Sequence, residues 1–146
     1  LAFAPGSFDL VMSSLAFHYT PDFTKLVRKI HGFLADGGSL VFSAEHPVFT
    51  AYGSQDWIYG QEQRPLYWPV DRYFSEGQRD TVFLGERVVK YHRTLTTYIT
   101  SLLETGFSIT GVVEPRPSAE LLDSVPGMRD ELRRPMMLLV AARKSG

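Results

Sequence analysis

Hydrophobic positions recur along the chain first as short runs and then at helical spacing, which predicts strands and helices in turn. The apolar run at 8–12 predicts a buried parallel strand. Apolar residues at helical spacing across 22–34 predict a helix that Thr20 caps and that the Gly37-Gly38 pair ends. A second predicted strand follows at 40–42.

The last third of the chain repeats this alternation. Thr94 is a suitable N-cap for a helix with an apolar stripe over 95–105, and Gly106 is a suitable end. The elements predicted after it are a strand at 107–113, short helices at 119–125 and 128–133, and a buried strand at 136–142. This alternation predicts an α/β protein on a mainly parallel sheet, and the closeness of the last two strands predicts an antiparallel edge pair.

The segment 47–93 has a different character. It is rich in aromatic residues, prolines and glycines, and no single period runs through it. Two short strand-like pieces around Gly85 predict a hairpin over 81–91. We therefore expect an ordered insertion or lid rather than a linker.

Composition narrows the functional classes. The formal net charge of −1 gives no electrostatic reason to bind nucleic acid or an anionic membrane. The absence of cysteine excludes disulfides, thiolate zinc sites and cysteine nucleophiles, and it fits a cytoplasmic protein. No apolar stretch is long enough to span a bilayer. The four histidines have no paired ligand spacing, so we expect no metal site.

Three stretches together resemble the class I methyltransferase fold. They are the strand and loop at 8–19, the helix exit and strand at 34–43, and the ending at 114–144. Asp36 stands where the family usually has a proline before the Gly-Gly pair. The resemblance implies the C-terminal half of a Rossmann-like sheet, with parallel strands, an antiparallel last strand and an aromatic-rich insertion.

The resemblance also implies a partial domain over 1–146. Family members start with a strand and a Gly-x-Gly turn that cradles the methionine end of the cofactor, and a second strand ends in an acidic residue that holds the ribose. Neither feature is present in this sequence. We therefore expect the N-terminal cofactor-loop half to be absent and the chain to bind the cofactor weakly or not at all.

Topology adds an expectation about surfaces. Crossovers between parallel strands are right-handed, so the helices at 22–34 and 95–105 should share one face of the sheet. The strand at 8–12 should be an apolar edge. We therefore expect a homodimer through the bare sheet face or edge, an exchange of elements between copies, or cover of the bare face by the insertion.

The cofactor implied by the resemblance is S-adenosylmethionine. Ser13, Ser14 and Leu15 follow the first strand, where ligands of open parallel sheets bind, and their backbone is expected to line the cofactor. His18 and Tyr19 are expected beside it. The alternative is that these are ordinary loop residues and that His18 packs or caps locally.

Polar residues after the second strand are candidates for catalysis. Glu45 and His46 are expected on the substrate side, one of them as a base or an orienting group, and His92 is a third candidate. The alternative for each is a structural turn or junction. Methyl transfer depends mainly on positioning, and a base is needed only when the acceptor atom carries a proton.

Aromatic residues are candidates for the substrate pocket. Tyr91, Trp57 and Trp68 are expected to close or line it, and the alternative for the tryptophans is a small core of the insertion itself. Arg93 is expected on the surface.

The predicted function is methyl transfer to a small molecule, with this chain supplying the acceptor side and part of the cofactor cleft. Two alternatives stay open: a non-catalytic fragment for dimerisation or partner binding, and another doubly wound α/β enzyme such as a dehydrogenase.

Overall fold

The computed structural model describes residues 3–146, which form one mixed sheet, two helices against it and an insertion of short elements. The strands are β1 (Phe8–Ser13), β2 (Leu34–Glu45), β3 (Ile58–Tyr59), β4 (Pro65–Tyr67), β5 (Gly77–Phe83), β6 (Glu86–His92), β7 (Phe107–Val113) and β8 (Met137–Lys144). The helices are α1 (Phe23–Phe33), α2 (Pro47–Thr50), α3 (Leu95–Thr105) and α4 (Ala119–Ser124), with 3-10 turns at Phe17–Tyr19, Gln61–Gln63 and Met128–Arg133.

The main sheet has the strand order β1-β2-β8-β7. Strands β1 and β2 are parallel, whereas β8 runs antiparallel to both β2 and β7. The predicted α/β fold is confirmed, and so is the antiparallel pair at the end of the chain. Because β8 inserts between β2 and β7, the carboxyl ends of β1, β2 and β7 meet at one edge of the sheet, which is where ligands of such sheets bind.

Helices α1 and α3 lie on the same face of the sheet, as the handedness of the crossovers requires. The rings of Phe23 and Tyr98 meet edge to face, with centroids 4.8 Å apart. The hydroxyl oxygens of Thr24 and Ser101 are 2.8 Å apart. The core lies between these helices and the sheet, and its fully buried members include Val27, Leu34, Leu40, Phe42, Leu102, Leu138 and Val140.

The opposite face of the sheet carries exposed apolar side chains. Met12 is 76% exposed, and Leu10 and Val112 are about half exposed. Strand β1 is an edge strand, as expected. Association of two copies through this edge or face stays a prediction.

The ends of α1 differ from the prediction. Asp22, rather than Thr20, caps the helix, because its carboxylate accepts a hydrogen bond of 2.8 Å from the Lys25 N–H. The helix ends at Phe33, four residues before the Gly-Gly pair. A Cβ at Gly38 would lie 2.8 Å from the Ala35 carbonyl oxygen, so the pair serves a tight bend at the entry of β2 instead.

The insertion contains α2 and two hairpins. Strands β5 and β6 form the longer one, and its two turn residues, Leu84 and Gly85, both have positive φ, which is the geometry of a type I′ turn. The predicted hairpin around Gly85 is confirmed and is longer than expected. Among the helices of residues 3–146, none has the length and hydropathy of a transmembrane segment.

Candidate functional site

The loop after β1 lies against the end of β2. The Leu15 N–H is 3.0 Å from both the carbonyl and the hydroxyl oxygen of Ser43, so this bond fixes the loop at the carboxyl edge. Leu15 has a φ of 48° and its side chain is 40% exposed. Ser13 is half-buried and Ser14 exposed. The predicted cofactor-contacting residues therefore present hydroxyl groups and one apolar side chain to solvent.

The turn Phe17–Tyr19 continues this surface. His18 is 1% exposed, and its Nδ1 accepts a hydrogen bond of 3.2 Å from the Glu45 N–H. Burial lowers the pKa of His18, although Glu45 nearby acts in the opposite direction. Tyr19 is 41% exposed, with its ring centroid 4.4 Å from that of His18. His18 thus joins the turn to β2, and Tyr19 is the side chain of the pair that a ligand can reach.

Glu45 lies in a buried polar cluster that also contains Lys90 and Gln55. Lys90 Nζ donates to Glu45 Oε1 at 2.5 Å and to Gln55 Oε1 at 2.8 Å. Gln55 Nε2 donates to Glu45 Oε2 at 2.5 Å. The side chains of Lys90 and Glu45 are 1% and 13% exposed. The cluster ties the insertion to the end of β2, and both carboxylate oxygens of Glu45 are engaged.

Sequence reasoning missed Lys90 and Gln55. A lysine in a short hairpin strand ordinarily faces solvent, and nothing local pairs it with residues 45 positions away. One signal was present: alternation along a strand places Lys90 on the same side as His92, two residues on, and that histidine is fully buried.

His46 caps α2. Its Nδ1 accepts a hydrogen bond of 3.0 Å from the Val48 N–H, so Nε2 carries the proton of the neutral ring and donates to Glu114 Oε1 at 2.7 Å. Burial lowers the pKa of His46, while the bond to Glu114 raises it to a lesser extent. The His46 ring is buried, whereas the Glu114 side chain is 56% exposed. The pair therefore presents a carboxylate, oriented by a buried imidazole, at the carboxyl edge.

His92 is enclosed. Its ring is 0% exposed, with Nε2 2.7 Å from the Tyr73 carbonyl oxygen and Nδ1 2.7 Å from the Thr50 hydroxyl. The carbonyl can only accept, so Nε2 donates and Nδ1 accepts. Both nitrogens are used within the insertion. A catalytic role for His92 stays a prediction that this geometry does not favour.

Two of the predicted pocket aromatics, Trp57 and Trp68, lie around the guanidinium of Arg134. The Arg134 guanidinium lies 4.3 Å from the Trp68 ring centroid and 5.3 Å from that of Trp57. Trp68 also stacks on Phe49 at 4.8 Å. Tyr91 is half-buried and lies on the other side of β6 from the buried residues Lys90 and His92. The two tryptophans form a small core around Arg134, and substrate contact by them stays a prediction.

The expectation that Arg93 lies on the surface is wrong. Arg93 is 4% exposed. Its guanidinium donates to the Phe17 carbonyl oxygen at 3.2 Å and to that of Thr20, and it lies over the rings of Phe23 and Tyr98. It is buried because the junction before α3 packs directly on the Phe17–Tyr19 turn, whose carbonyl oxygens need donors.

Comparison with known proteins shows which proteins this chain resembles. A family model described as a methyltransferase domain matches residues 1–42. A solved S-adenosylmethionine dependent methyltransferase from Mesorhizobium loti is 44% identical with a TM-score of 0.87, over 99% of this chain and 65% of that one. A proposed S-adenosylmethionine dependent methyltransferase from Listeria monocytogenes is 51% identical with a TM-score of 0.94, over 100% of this chain and 65% of that one. The chain is thus similar over nearly its whole length to S-adenosylmethionine-dependent methyltransferases, and it has their fold.

The chain spans only part of these methyltransferases. It covers about two thirds of the length of the two solved proteins. An uncharacterized protein of Haemophilus influenzae is 33% identical over 99% of this chain, which spans 57% of that protein. The activity of a whole methyltransferase is therefore a proposal for this chain.

The residues at the carboxyl edge fit one side of the family cofactor, S-adenosylmethionine. Ser13 and Ser14 supply hydroxyl groups and backbone, and Leu15 and Tyr19 supply exposed apolar surface. This set carries no net charge, since nearby Glu45 is compensated by Lys90. Such a surface suits a nucleoside, which offers flat apolar faces and hydroxyl groups. Among residues 3–146, no three His, Cys, Asp or Glu side chains cluster closely enough to hold a metal ion.

The buried histidines predict that acid destabilises the protein. Burial lowers the pKa of His18, His46 and His92 below the ordinary value near 6.5. The unfolded chain then binds more protons just below that value, so the stability these groups contribute is complete above it and is lost as pH falls toward the folded-state pKa values. We expect the melting temperature to drop by several degrees from about pH 7.5 to about pH 5.5. Thermal unfolding followed by circular dichroism measures it, and a melting temperature that rises on acidification would contradict the sign.

Proposed function

We propose that this chain supplies the acceptor side and part of the cofactor cleft for S-adenosylmethionine-dependent methyl transfer to a small molecule. One observation carries the proposal: the surface formed by Ser13–Leu15 and Tyr19 shares the carboxyl edge of the sheet with an open cavity of 560 Å³. The cavity lies beside Met137, the residue of β8 that pairs with Glu45. Strands β1, β2 and β8 are neighbours, so the ends of β1 and β8 are about 10 Å apart, two strand spacings.

The size of the cavity supports a small acceptor. Pockets for small molecules typically enclose about 300–1,000 Å³ and are mostly apolar with a few polar groups. A cavity of 560 Å³ with largely apolar lining falls within that range. The acceptor would sit there with its reacting atom directed toward the edge of β2 and β1.

The reaction needs positioning more than covalent help. The bound cofactor supplies an electrophilic methyl group on its sulfonium, and the acceptor atom must approach that methyl in line with the departing sulfur. The turn at Phe17–Tyr19 and the loop at Ser13–Leu15 would hold the nucleoside end. The rigid edge made by Glu45, Lys90 and Gln55 would keep the insertion in place beside it.

A proton acceptor is available at the same edge. Of the three residues expected to be catalytic, His46 has a partner that solvent reaches, because Glu114 is 56% exposed. Glu114 directly precedes Pro115, which lines the cavity. We assign proton removal to the Glu114 carboxylate and its orientation to His46, for acceptors that carry a proton on the reacting atom. We assign Glu45 a structural role, because Lys90 and Gln55 occupy both of its oxygens.

The cofactor surface can be tested with two matched leucines. Leu15 and Leu84 both have positive φ, 48° and 52°, and both are exposed, but Leu84 lies at the hairpin tip. Asp tolerates this backbone, so L15D and L84D add the same charge without added strain. We expect S-adenosylhomocysteine to bind the chain with a Kd of about 1 mM, and L15D to weaken binding at least about tenfold while L84D leaves it unchanged.

Saturation-transfer NMR on the ligand gives the measurement. Transfer to S-adenosylhomocysteine that is lost in L15D and kept in L84D supports the proposal. Equal effects of the two substitutions, or no transfer to the ligand in the unsubstituted chain at several millimolar, would reject the cofactor surface assigned here.

A further inference from the structure

The cavity at the carboxyl edge has an unusual lining. Its apolar walls come from methionines and prolines together with one leucine: Pro115, Pro117, Leu121, Pro126, Met128, Met136 and Met137. Methionine side chains are flexible and polarisable and adapt to flat ring surfaces, whereas prolines are rigid. Such walls suit a planar apolar molecule.

Two charged side chains line the cavity, Glu131 and Arg116, and of the two only Glu131 is paired to another residue that the structure describes. Glu131 lines the cavity but is held by Arg134, with carboxylate-to-guanidinium distances of 2.5 and 3.0 Å. Arg116 also lines it and is exposed. Within residues 3–146, the ion pairs of the basic side chains near the cavity involve Arg129, Arg133 and Arg134, and Arg116 takes part in none. Of the charged side chains that line the cavity itself, Arg116 is therefore the one that the described part of the chain leaves free to pair with a ligand.

We infer that the cavity binds a planar apolar anion, such as an aromatic carboxylate, with its ring among the methionines and its anionic group on Arg116. A guanidinium pairs a carboxylate through two parallel N–H donors, which fixes the orientation of the ring as well as adding affinity. On the proposed function, on which this identification rests, this molecule is the methyl acceptor.

The methionines of the chain provide the test. Three of its four methionines, Met128, Met136 and Met137, line the cavity, and the fourth, Met12, lies on β1. The probe is 2-naphthoate, and 2-naphthalenemethanol is its neutral counterpart. With [methyl-¹³C]methionine protein, we expect naphthoate to shift the three cavity methyl signals and to leave Met12 unmoved. The neutral probe should bind about fivefold more weakly, because it lacks the ion pair with Arg116 and one exposed ion pair changes affinity by about that factor.

Two arginine variants distinguish an ion pair between the ligand and Arg116 from a general attraction of the anion to positive charge. R116Q should abolish the difference between the two probes. R129Q is the matched control, because Arg129 adjoins Met128 but is 72% exposed and pairs with Asp123, so the difference should persist. Equal binding of the two probes to the unsubstituted chain, or movement of Met12 together with the cavity signals, would overturn the anion site.

Failure of the proposed function gives a different pattern. If naphthoate behaves as expected but S-adenosylhomocysteine does not bind, the anion site is supported and its role as acceptor site is overturned. If S-adenosylhomocysteine binds at Leu15 and naphthoate moves no cavity methyl, the cofactor surface stands and the inference about the cavity is wrong.

Discussion

Replacing Lys90 by methionine is expected to lower the free energy of unfolding by about 3–5 kcal/mol, the usual cost of removing one partner of a buried ion pair. The Lys90 side chain is 1% exposed and donates to both Glu45 and Gln55. The substitution keeps the apolar stem but leaves the Glu45 carboxylate buried with one donor fewer. Within this cluster the insertion then keeps only the Gln55 hydrogen bond to Glu45 as its link to β2.

The double variant E45M/K90M distinguishes this cause from lost packing. Two apolar side chains of similar length leave no unpaired charge, so the loss should be smaller than the sum of the two single losses by at least about 1 kcal/mol. The control is R129M, which breaks an ion pair whose partners are 72% and 74% exposed, and should cost under about 1 kcal/mol. Urea unfolding measures all four variants. A K90M loss no larger than that of R129M would contradict the buried cluster.

Replacing Arg93 by methionine is expected to cost about 3–5 kcal/mol as well, because hydrogen bonds to charged groups contribute about 1.5–3 kcal/mol each. The Arg93 guanidinium donates to the carbonyl oxygens of Phe17, the first residue of the turn, and of Thr20, the residue just after it. Without it these carbonyl groups lose their charged donor and the turn that carries Tyr19 loosens. Urea unfolding gives the stability, and the amide exchange rate of Thr20 gives the local effect.

The control for Arg93 is R87M, on the exposed start of β6. A surface substitution of this kind should change stability by no more than about 0.5 kcal/mol. If R93M and R87M behave alike, or if R93M destabilises without faster exchange at Thr20, Arg93 does not position the turn.

The elements that the sequence predicted best are those with strong local signals. Strand β7 and helix α3 have the expected bounds, and Thr94 caps α3 through a bond from the Thr97 N–H. At α1 two capping residues compete, and Asp22 replaces Thr20 because its carboxylate reaches the Lys25 N–H. The local pattern identified the helix but not which of two nearby side chains, Thr20 or Asp22, would cap it.

The candidate site was less predictable because its contacts are long-range. Glu45 was expected at the edge of the sheet from its position after a strand, and it is there. Its partners Lys90 and Gln55 come from an insertion without a period, so no spacing rule could bring them together. The burial of Arg93 was missed for the same reason. A charged residue at a junction predicts a surface position, but here the carbonyl groups of a turn distant in sequence need a donor.

The most direct test of the account is the methyl spectrum of [methyl-¹³C]methionine protein during titration with S-adenosylhomocysteine. Met12 adjoins Ser13 at the end of β1 and is 76% exposed, whereas the other three methionines line the acceptor cavity. We predict a saturable shift of the Met12 signal with the cavity signals unmoved. A Met12 signal that stays in place, or cavity signals that shift in its stead, would contradict the assignment of the cofactor to the carboxyl end of β1.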